Sequence, residues 1–292
     1  MSFKPRTIRE HFRFFFQQRV AEIVLFLICV YGFYLAFRTG APDFKVFVYA
    51  GELVLKNRIL EIYTESPDRF LYAPGAAVLF SLFALIPYSL GLFLWTGLKV
   101  WGLFSLVSRL KEKFTPATIA IALILIARPL FIDFRYGNLN SFLLILGMHF
   151  VLDLAGPVLP NGRGTTSHTR MSFSASIRTF FFGAFAFLKL IFLSSGILPV
   201  LRRRWPTVLV FILGIFWIFL LPVIPWIWDG DGDFSPYFLK LHENWIEALK
   251  VKGLPIETPN QSIIAFLTRI FGGATTYSLF MGGVGLDLGW KF

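Results

Sequence analysis

The sequence predicts an all-α integral membrane protein, a bundle of several spans with broken or re-entrant helices, and three observations carry that expectation. Of 292 residues, 56% are hydrophobic and 18% aromatic, while only 15% are charged; soluble globular chains carry about 25% charged residues. Mean hydropathy is +0.67, so lipid is the chain's main solvent. Uncharged runs of spanning length recur along the chain. The composition excludes a disordered chain, and the single Cys29 excludes a disulfide-built module and a cysteine-based zinc site. A net charge of +11 would raise the question of nucleic acid in a soluble protein. Here it follows from the accumulation of Lys and Arg on the cytoplasmic side of membrane proteins, and no nucleic-acid partner is expected.

Residues 1–19 hold Lys4, Arg6, Arg9, Arg13 and Arg19 against Glu10 and read as a basic cytoplasmic arm. They lead into an apolar run over 20–37, the expected first span. That run of about 18 residues exceeds the roughly 7–15 of a signal-peptide core, carries Glu22 near its inner end and lacks a small-x-small site, so an uncleaved helix is expected. Residues 71–98 are uncharged and the run continues past Lys99 to Val107, interrupted by Pro87. It is either one long kinked span or a half-span followed by a span. Further apolar stretches cover 114–127, 139–152, 179–201 and 207–228. After Ser262 apolar character returns, short and broken by glycine. No internal repeat is visible, and 1–292 is expected to form one transmembrane domain.

Orientation follows from where the basic residues fall. Segments 1–19, 109–113, 156–178 and 202–204 hold 14 Lys and Arg in 50 positions, whereas 38–70, 128–138 and 229–260 hold 10 in 76. The first group is expected in the cytoplasm and the second as extracytoplasmic loops forming the active-site face. The blocks at 156–178 and 202–204 then share a side although an apolar stretch separates them, so a re-entrant hairpin is expected there. Lys189 lies at its middle, and irregular backbone at that depth needs a protein or water-filled cavity.

Three outer segments carry groups that a simple anchor does not need. In "GAPDFKVFVYAG", Asp43 is either an interfacial helix cap or a carboxylate able to take a proton from an acceptor hydroxyl. In "ARPLFIDFRYGNLNSF", Arg128, Asp133, Arg135, Asn138 and Asn140 are either anchors and turn residues or a set of donors for a phosphate or sugar. In "TPNQSIIAF", Asn260, Gln261 and Ser262 cap a helix or bond sugar hydroxyls. Lys189 is the most expensive residue, since a charge at the centre of a span costs roughly 2.5–3.5 kcal/mol. It either snorkels to the interface, pairs with an acid or serves the function. His242, in "FLKLHENW", stands in a long outer loop as a weak second catalytic candidate. The chain has no HExxH, GxxxxGK[ST], GxSxG or cysteine pair, which sets aside their chemistries. "DGDGD" at 229–233 lacks the glutamate that closes a calcium loop, Lys240 standing at position twelve. No metal or other cofactor is expected.

The ordered run "PDFKVF.YAG", "FLYAPGAAVLF", "LW", "ARPLF", "YGNLNSFLLIL", "FLKLIFLSS", "LRRRW" and "NQSIIAFLTR", from about Ala41 to Arg269, resembles glycosyltransferase family 87. Members are similar to the polyprenyl-phosphate-mannose-dependent mannosyltransferases and arabinofuranosyltransferases of bacterial envelopes. The resemblance implies a GT-C type fold in the bacterial plasma membrane, N-terminus in the cytoplasm, with the active site on the extracytoplasmic side. It implies Asp43 as general base, and Arg128, Asn138, Asn140, Lys189, Tyr72, Asn260 and Gln261 as substrate-binding residues. The family's Gly-Gln-x-Asn is here Gly137, Asn138, Leu139 and Asn140, and its Lys-Pro-x-Pro break is Lys189, Leu190, Ile191 and Phe192. The resemblance is to a shortened member, since family chains commonly carry several further spans.

The expected reaction moves a mannose-like hexose or a pentose, with inversion, from a polyprenyl-phosphate donor to a lipid or glycan acceptor. The released lipid phosphate needs charge stabilisation more than a proton, so one carboxylate base suffices. The alternatives are a transporter or flippase of lipid-linked sugars, with Lys189 in a midplane site, and an inactive relative acting as a scaffold.

Overall fold

A computed structural model describes residues 8–64, 70–155, 171–188, 194–229 and 234–252. Of the sequence expectations, Lys189, Asn260, Gln261, the first residues of the basic arm and the loop 156–170 lie outside them. The described residues are helical, as expected: α1 (Ile8–Thr39), α2 (Pro42–Leu55), a 3-10 turn (Ile59–Glu61), α3 (Pro74–Ala84), α4 (Tyr88–Leu110) and α5 (Pro116–Tyr136). There follow α6 (Asn140–Ala155), α7 (Phe173–Leu188), α8 (Ile197–Leu201), α9 (Trp205–Leu220), α10 (Val223–Asp229) and α11 (Phe234–Lys252).

Among the described residues, three helices are long and apolar enough to cross a membrane, Gln18–Thr39, Tyr88–Leu110 and Pro116–Tyr136. At 1.5 Å per residue each covers roughly the 30 Å of a hydrocarbon core. α3, α6, α7 and α9 are shorter apolar helices. Pro87 decides the question left open over 71–107. Its missing N–H and fixed φ separate α3 from α4, so the run is a short apolar helix followed by one of spanning length rather than one long kinked span.

The expected loop 128–138 is mostly helix. α5 runs through Pro129 to Tyr136, because Leu130 and Phe134 on the same stripe bury against α1 and leaving the helix in lipid would expose unpaired backbone groups. Only the turn Gly137–Leu139 remains. The expected outer segment 229–260 likewise contains α11, whose Leu241 and Trp245 join the main core with α2, α3 and α9.

Two ends of the bundle differ in chemistry. At one, Glu22 of α1 pairs with Lys111 and Arg19, and Asp153 at the end of α6 takes Arg109 at 2.7 Å and Arg178 at 2.9 Å. The carbonyls of Leu154 and Asp153 accept from Arg202 at 2.9 Å and Arg204 at 3.3 Å. The basic segments grouped by the charge count therefore do share an end.

The chain reaches that end twice because α7 and α9 run parallel. Thr207 meets Met171 near their starts, Phe180 meets Trp217, and Phe187 meets Phe219 near their ends. α8 precedes α9 in the chain, and residues 189–193, at the middle of the expected re-entrant hairpin, lie outside the described residues. α7 and α9 touch backbone to backbone: a Cβ on Gly183 would lie 2.1 Å from the Phe211 carbonyl oxygen, and one on Gly214 2.0 Å from that of Phe180. Backbone cannot swing aside as a side chain can. Gly183→Ala is expected to lower the thermal midpoint of the purified protein, read by tryptophan fluorescence, with a cost of about 1–3 kcal/mol; an unchanged midpoint would contradict this crossing.

Candidate functional site

The opposite end gathers the polar residues. α1 stops at Thr39, and Gly40 (φ +68°) and Ala41 (φ +44°) are both left-handed, turning the chain sharply into α2. Pro42 fits the first helical position and puts Asp43 in the first turn of α2, where the helix dipole favours a carboxylate. The hinge is pinned from two sides. Tyr88 donates to the Gly40 carbonyl at 2.6 Å, and Thr39 donates to the Arg135 carbonyl at 2.7 Å.

α5 ends in a second left-handed turn at Gly137 (φ +72°). The N–H groups of Gly137 and Asn138 donate to the Asp133 carbonyl at 2.9 and 3.1 Å, closing the helix. Asn138 then meets α2: its Nδ2 donates to Asp43 Oδ2 at 2.6 Å. Its Oδ1 accepts from the Leu139 N–H at 2.7 Å and from the Tyr72 hydroxyl at 3.2 Å. Only this amide orientation satisfies all three partners, since the carboxylate needs a donor and the two donors need an acceptor.

Tyr72 lies in the extended segment before α3, its carbonyl held by the Tyr63 hydroxyl at 2.8 Å and its ring edge-on to Phe47 at 4.9 Å. Burial, and then the negative charges of Asp43 and Asp133, push its hydroxyl pKa well above the ordinary tyrosine value. The hydroxyl therefore stays a donor at any working pH. Asp43, Asn138 and Tyr72, from three separate segments, thus form one hydrogen-bonded cluster.

Behind it lies an ion pair that the sequence reading did not join, since it named Asp133 among the outer polar residues but gave Lys99 no role. Lys99 and Asp133, with 1% and 3% side-chain exposure, pair at 2.8 Å inside the bundle. Ser141 donates to the same Asp133 Oδ2 at 2.5 Å, and Asp133 Oδ1 is buried with no hydrogen-bond partner among the described residues. Trp95, one turn before Lys99, donates its Nε1–H to the Gly137 carbonyl at 2.8 Å. The sequence did carry a signal, since Lys99 and Asp133 are charges inside apolar runs, but nothing local pairs them.

The remaining sequence candidates lie elsewhere. Asn140 is exposed on the first residue of α6. Arg128 is exposed on α5, nine residues or about two and a half turns before Gly137, on the stripe with Ile121, Leu125 and Arg135 and on a different face from buried Asp133. The structure does not bring it to Asp43. His242 packs at a tilt against Phe238 and Phe219, with ring centroids 4.3 and 4.5 Å away. Its Nδ1 lies 2.8 Å from the Phe238 carbonyl and must donate to it. Burial, against the opposing hydrogen bond to Phe238, holds its pKa below the usual histidine value. The same helix reaches the cluster's border, because Trp245 Nε1–H donates to the carbonyl of Leu71 at 3.2 Å.

Such an arrangement can accept a proton: a carboxylate in the first turn of a helix, oriented by the Asn138 amide. The model of glycosyltransferase family 87 matches residues 70–290. That range covers Tyr72, Lys99, Asp133 and Asn138 and begins after Asp43. Among curated proteins and among solved structures, nothing matches.

Proposed function

The chain belongs to glycosyltransferase family 87, and from that premise we propose that it moves a sugar from a polyprenyl-phosphate donor to a hydroxyl of a lipid or glycan acceptor, with Asp43 as general base. The observation that carries the reading is the Asp43–Asn138 hydrogen bond at 2.6 Å, which holds one carboxylate oxygen and leaves the carboxylate oriented for proton transfer. The Asp43 end lies opposite the arginine-rich end, and basic ends face the cytoplasm. On this reading the reaction is extracytoplasmic, and the family resemblance makes the membrane a bacterial plasma membrane.

In the step itself, the acceptor O–H gives its proton to Asp43 as its oxygen attacks the anomeric carbon. The bond from that carbon to the phosphate oxygen breaks, and its electron pair leaves with the polyprenyl phosphate. Attack opposite the leaving group inverts the anomeric centre. Asn138, Tyr72 and Asn140 are assigned to hydrogen-bond the sugar, and the family resemblance adds Asn260 and Gln261 to that role. Lys189 stabilises the departing phosphate, and Arg128, on the lipid-exposed stripe of α5, draws the donor's phosphate from the membrane. Charge stabilisation by such donors is the usual substitute for protonating a good leaving group.

No step requires a divalent ion. Transfer assayed with and without EDTA, with the product's anomeric configuration read by NMR, tests the mechanism: the expected result is inversion at an undiminished rate. Retention, or transfer lost with EDTA and restored by a metal, would overturn it.

A further inference from the structure

A buried ion pair in a lipid-facing bundle needs a reason. Taking two charges out of water costs more than their attraction commonly returns, and an apolar pair of the same volume is often at least as stable. Ionisable residues within spans are rare and are functional candidates by default. Lys99 and Asp133 are such residues, on α4 and α5, and they stand directly behind the turn that carries Asn138.

The geometry connects them to that turn through three routes. The Asp133 carbonyl accepts the N–H groups of both Gly137 and Asn138, and Lys99 Nζ also reaches that carbonyl at 3.4 Å. The Asp133 carboxylate takes Ser141, tying the first turn of α6 to the last turns of α5. The Lys99 ammonium lies 5.4 Å from the ring centroid of Trp95 and 5.7 Å from that of Phe134, while Trp95 holds the Gly137 carbonyl. One face of α4 thus grips both sides of the Gly137–Asn138 turn.

We infer that Lys99 and Asp133 are positioning residues: their ion pair fixes the Gly137–Asn138 turn, so that Asn138 keeps the Asp43 carboxylate oriented for the acceptor. The kinetic part of this inference rests on the function proposed above; the structural part does not. Serving geometry accounts for what an apolar pair would not supply. Asp43 is 95 positions from Asn138 and on another helix, so its orientation depends on the turn being stiff.

The test uses the double variant Lys99→Met/Asp133→Leu, which removes both charges together and leaves no unpaired ion in the bundle. Lys99→Met alone strands the Asp133 carboxylate and serves as the folding control. Two readouts are taken on the full chain in nanodiscs: backbone hydrogen exchange over residues 134–139, and steady-state transfer. The expected result is exchange at least about tenfold faster over that turn with the thermal midpoint retained. The kcat should fall about 10- to 100-fold with donor KM within about twofold.

Repeating the double replacement in an Asn138→Ala background decides whether the pair acts through Asn138. The further loss there should be under about twofold, because contacting groups in one network are not additive. Unchanged exchange, or a full additive loss in the Asn138→Ala background, would overturn the inference. Faster exchange in the variant of a protein that transfers no sugar at all would remove the proposed reaction and leave the clamp standing.

Discussion

Asp43→Asn is expected to reduce sugar transfer by about 10²–10⁴-fold, the range that a positioned general base contributes, while donor binding changes by no more than a few-fold. Asparagine keeps the size and the first-turn position of Asp43 but cannot take a proton. It also faces the Nδ2 of Asn138, so the variant amide must turn its oxygen toward that donor and its NH₂ toward the acceptor site. Transfer and binding therefore separate: kcat falls, and equilibrium binding of a labelled donor stays. A variant that transfers at the wild-type rate would remove Asp43 from the chemistry. One that loses donor binding in proportion would make it a binding residue instead.

Gly137→Ala carries the second large effect, and it acts on stability and activity together. The residue sits at φ +72°, where a Cβ costs about 1–2 kcal/mol. The new atom would also lie 2.7 Å from the Cβ of Phe44 and 2.9 Å from that of Ala41. Neither neighbour can rotate away, because a Cβ moves only with its backbone. The α5–α6 turn must therefore retreat from the start of α2, which pulls Asn138 off Asp43. The expected result is a loss of about 2–4 kcal/mol and a fall in kcat of roughly 100-fold. Gly97→Ala is the matched control, since a Cβ there meets nothing within 4 Å and alanine favours a helix. Equal behaviour of the two variants would contradict the close approach of α2 to the turn.

Much of the architecture was legible because lipid makes simple rules strict. The first span follows from its apolar run, the shared end of the arginine blocks from charge, and Pro87 marked an interruption whose form, a kink or a break, was left open. The parallel course of α7 and α9 is what the arginine blocks demanded. Reading went astray at Arg128-Pro129, where proline looked like a helix end. In water it commonly is; in lipid the backbone has nowhere else to bond, and α5 continues to Tyr136. The stretch around His242 read as a loop because charged residues crowd its exposed face, yet Leu241 and Trp245 alternate at helical spacing and bury one side of α11.

The site was legible in part. Asp43 and Asn138 were marked by resemblance and by their chemistry, and the structure brings them together with Tyr72. Their contact joins residues 95 positions apart, so no local pattern foretold it. Lys99 and Asp133 are 34 positions apart on helices whose facing sides are chosen by packing. Asp133 read as one of an outer polar set, and Lys99 only as a break in an apolar run. The placement of Arg128 was not legible either: a phosphate-binding residue was expected beside Asp43, and helix phase puts it on the exposed stripe with Ile121 and Leu125.

The proposed activity is sugar transfer from a lipid-linked phosphate donor. It is tested most directly by giving the purified protein, in nanodiscs with membrane lipid extract, a panel of radiolabelled polyprenyl-phosphate sugars and nucleotide sugars. The account predicts label moving to a new product from one polyprenyl-phosphate donor and from no nucleotide sugar. Transfer from a nucleotide sugar alone would contradict it. So would the absence of any product from folded protein that carries the same labelled lipids across sealed liposomes.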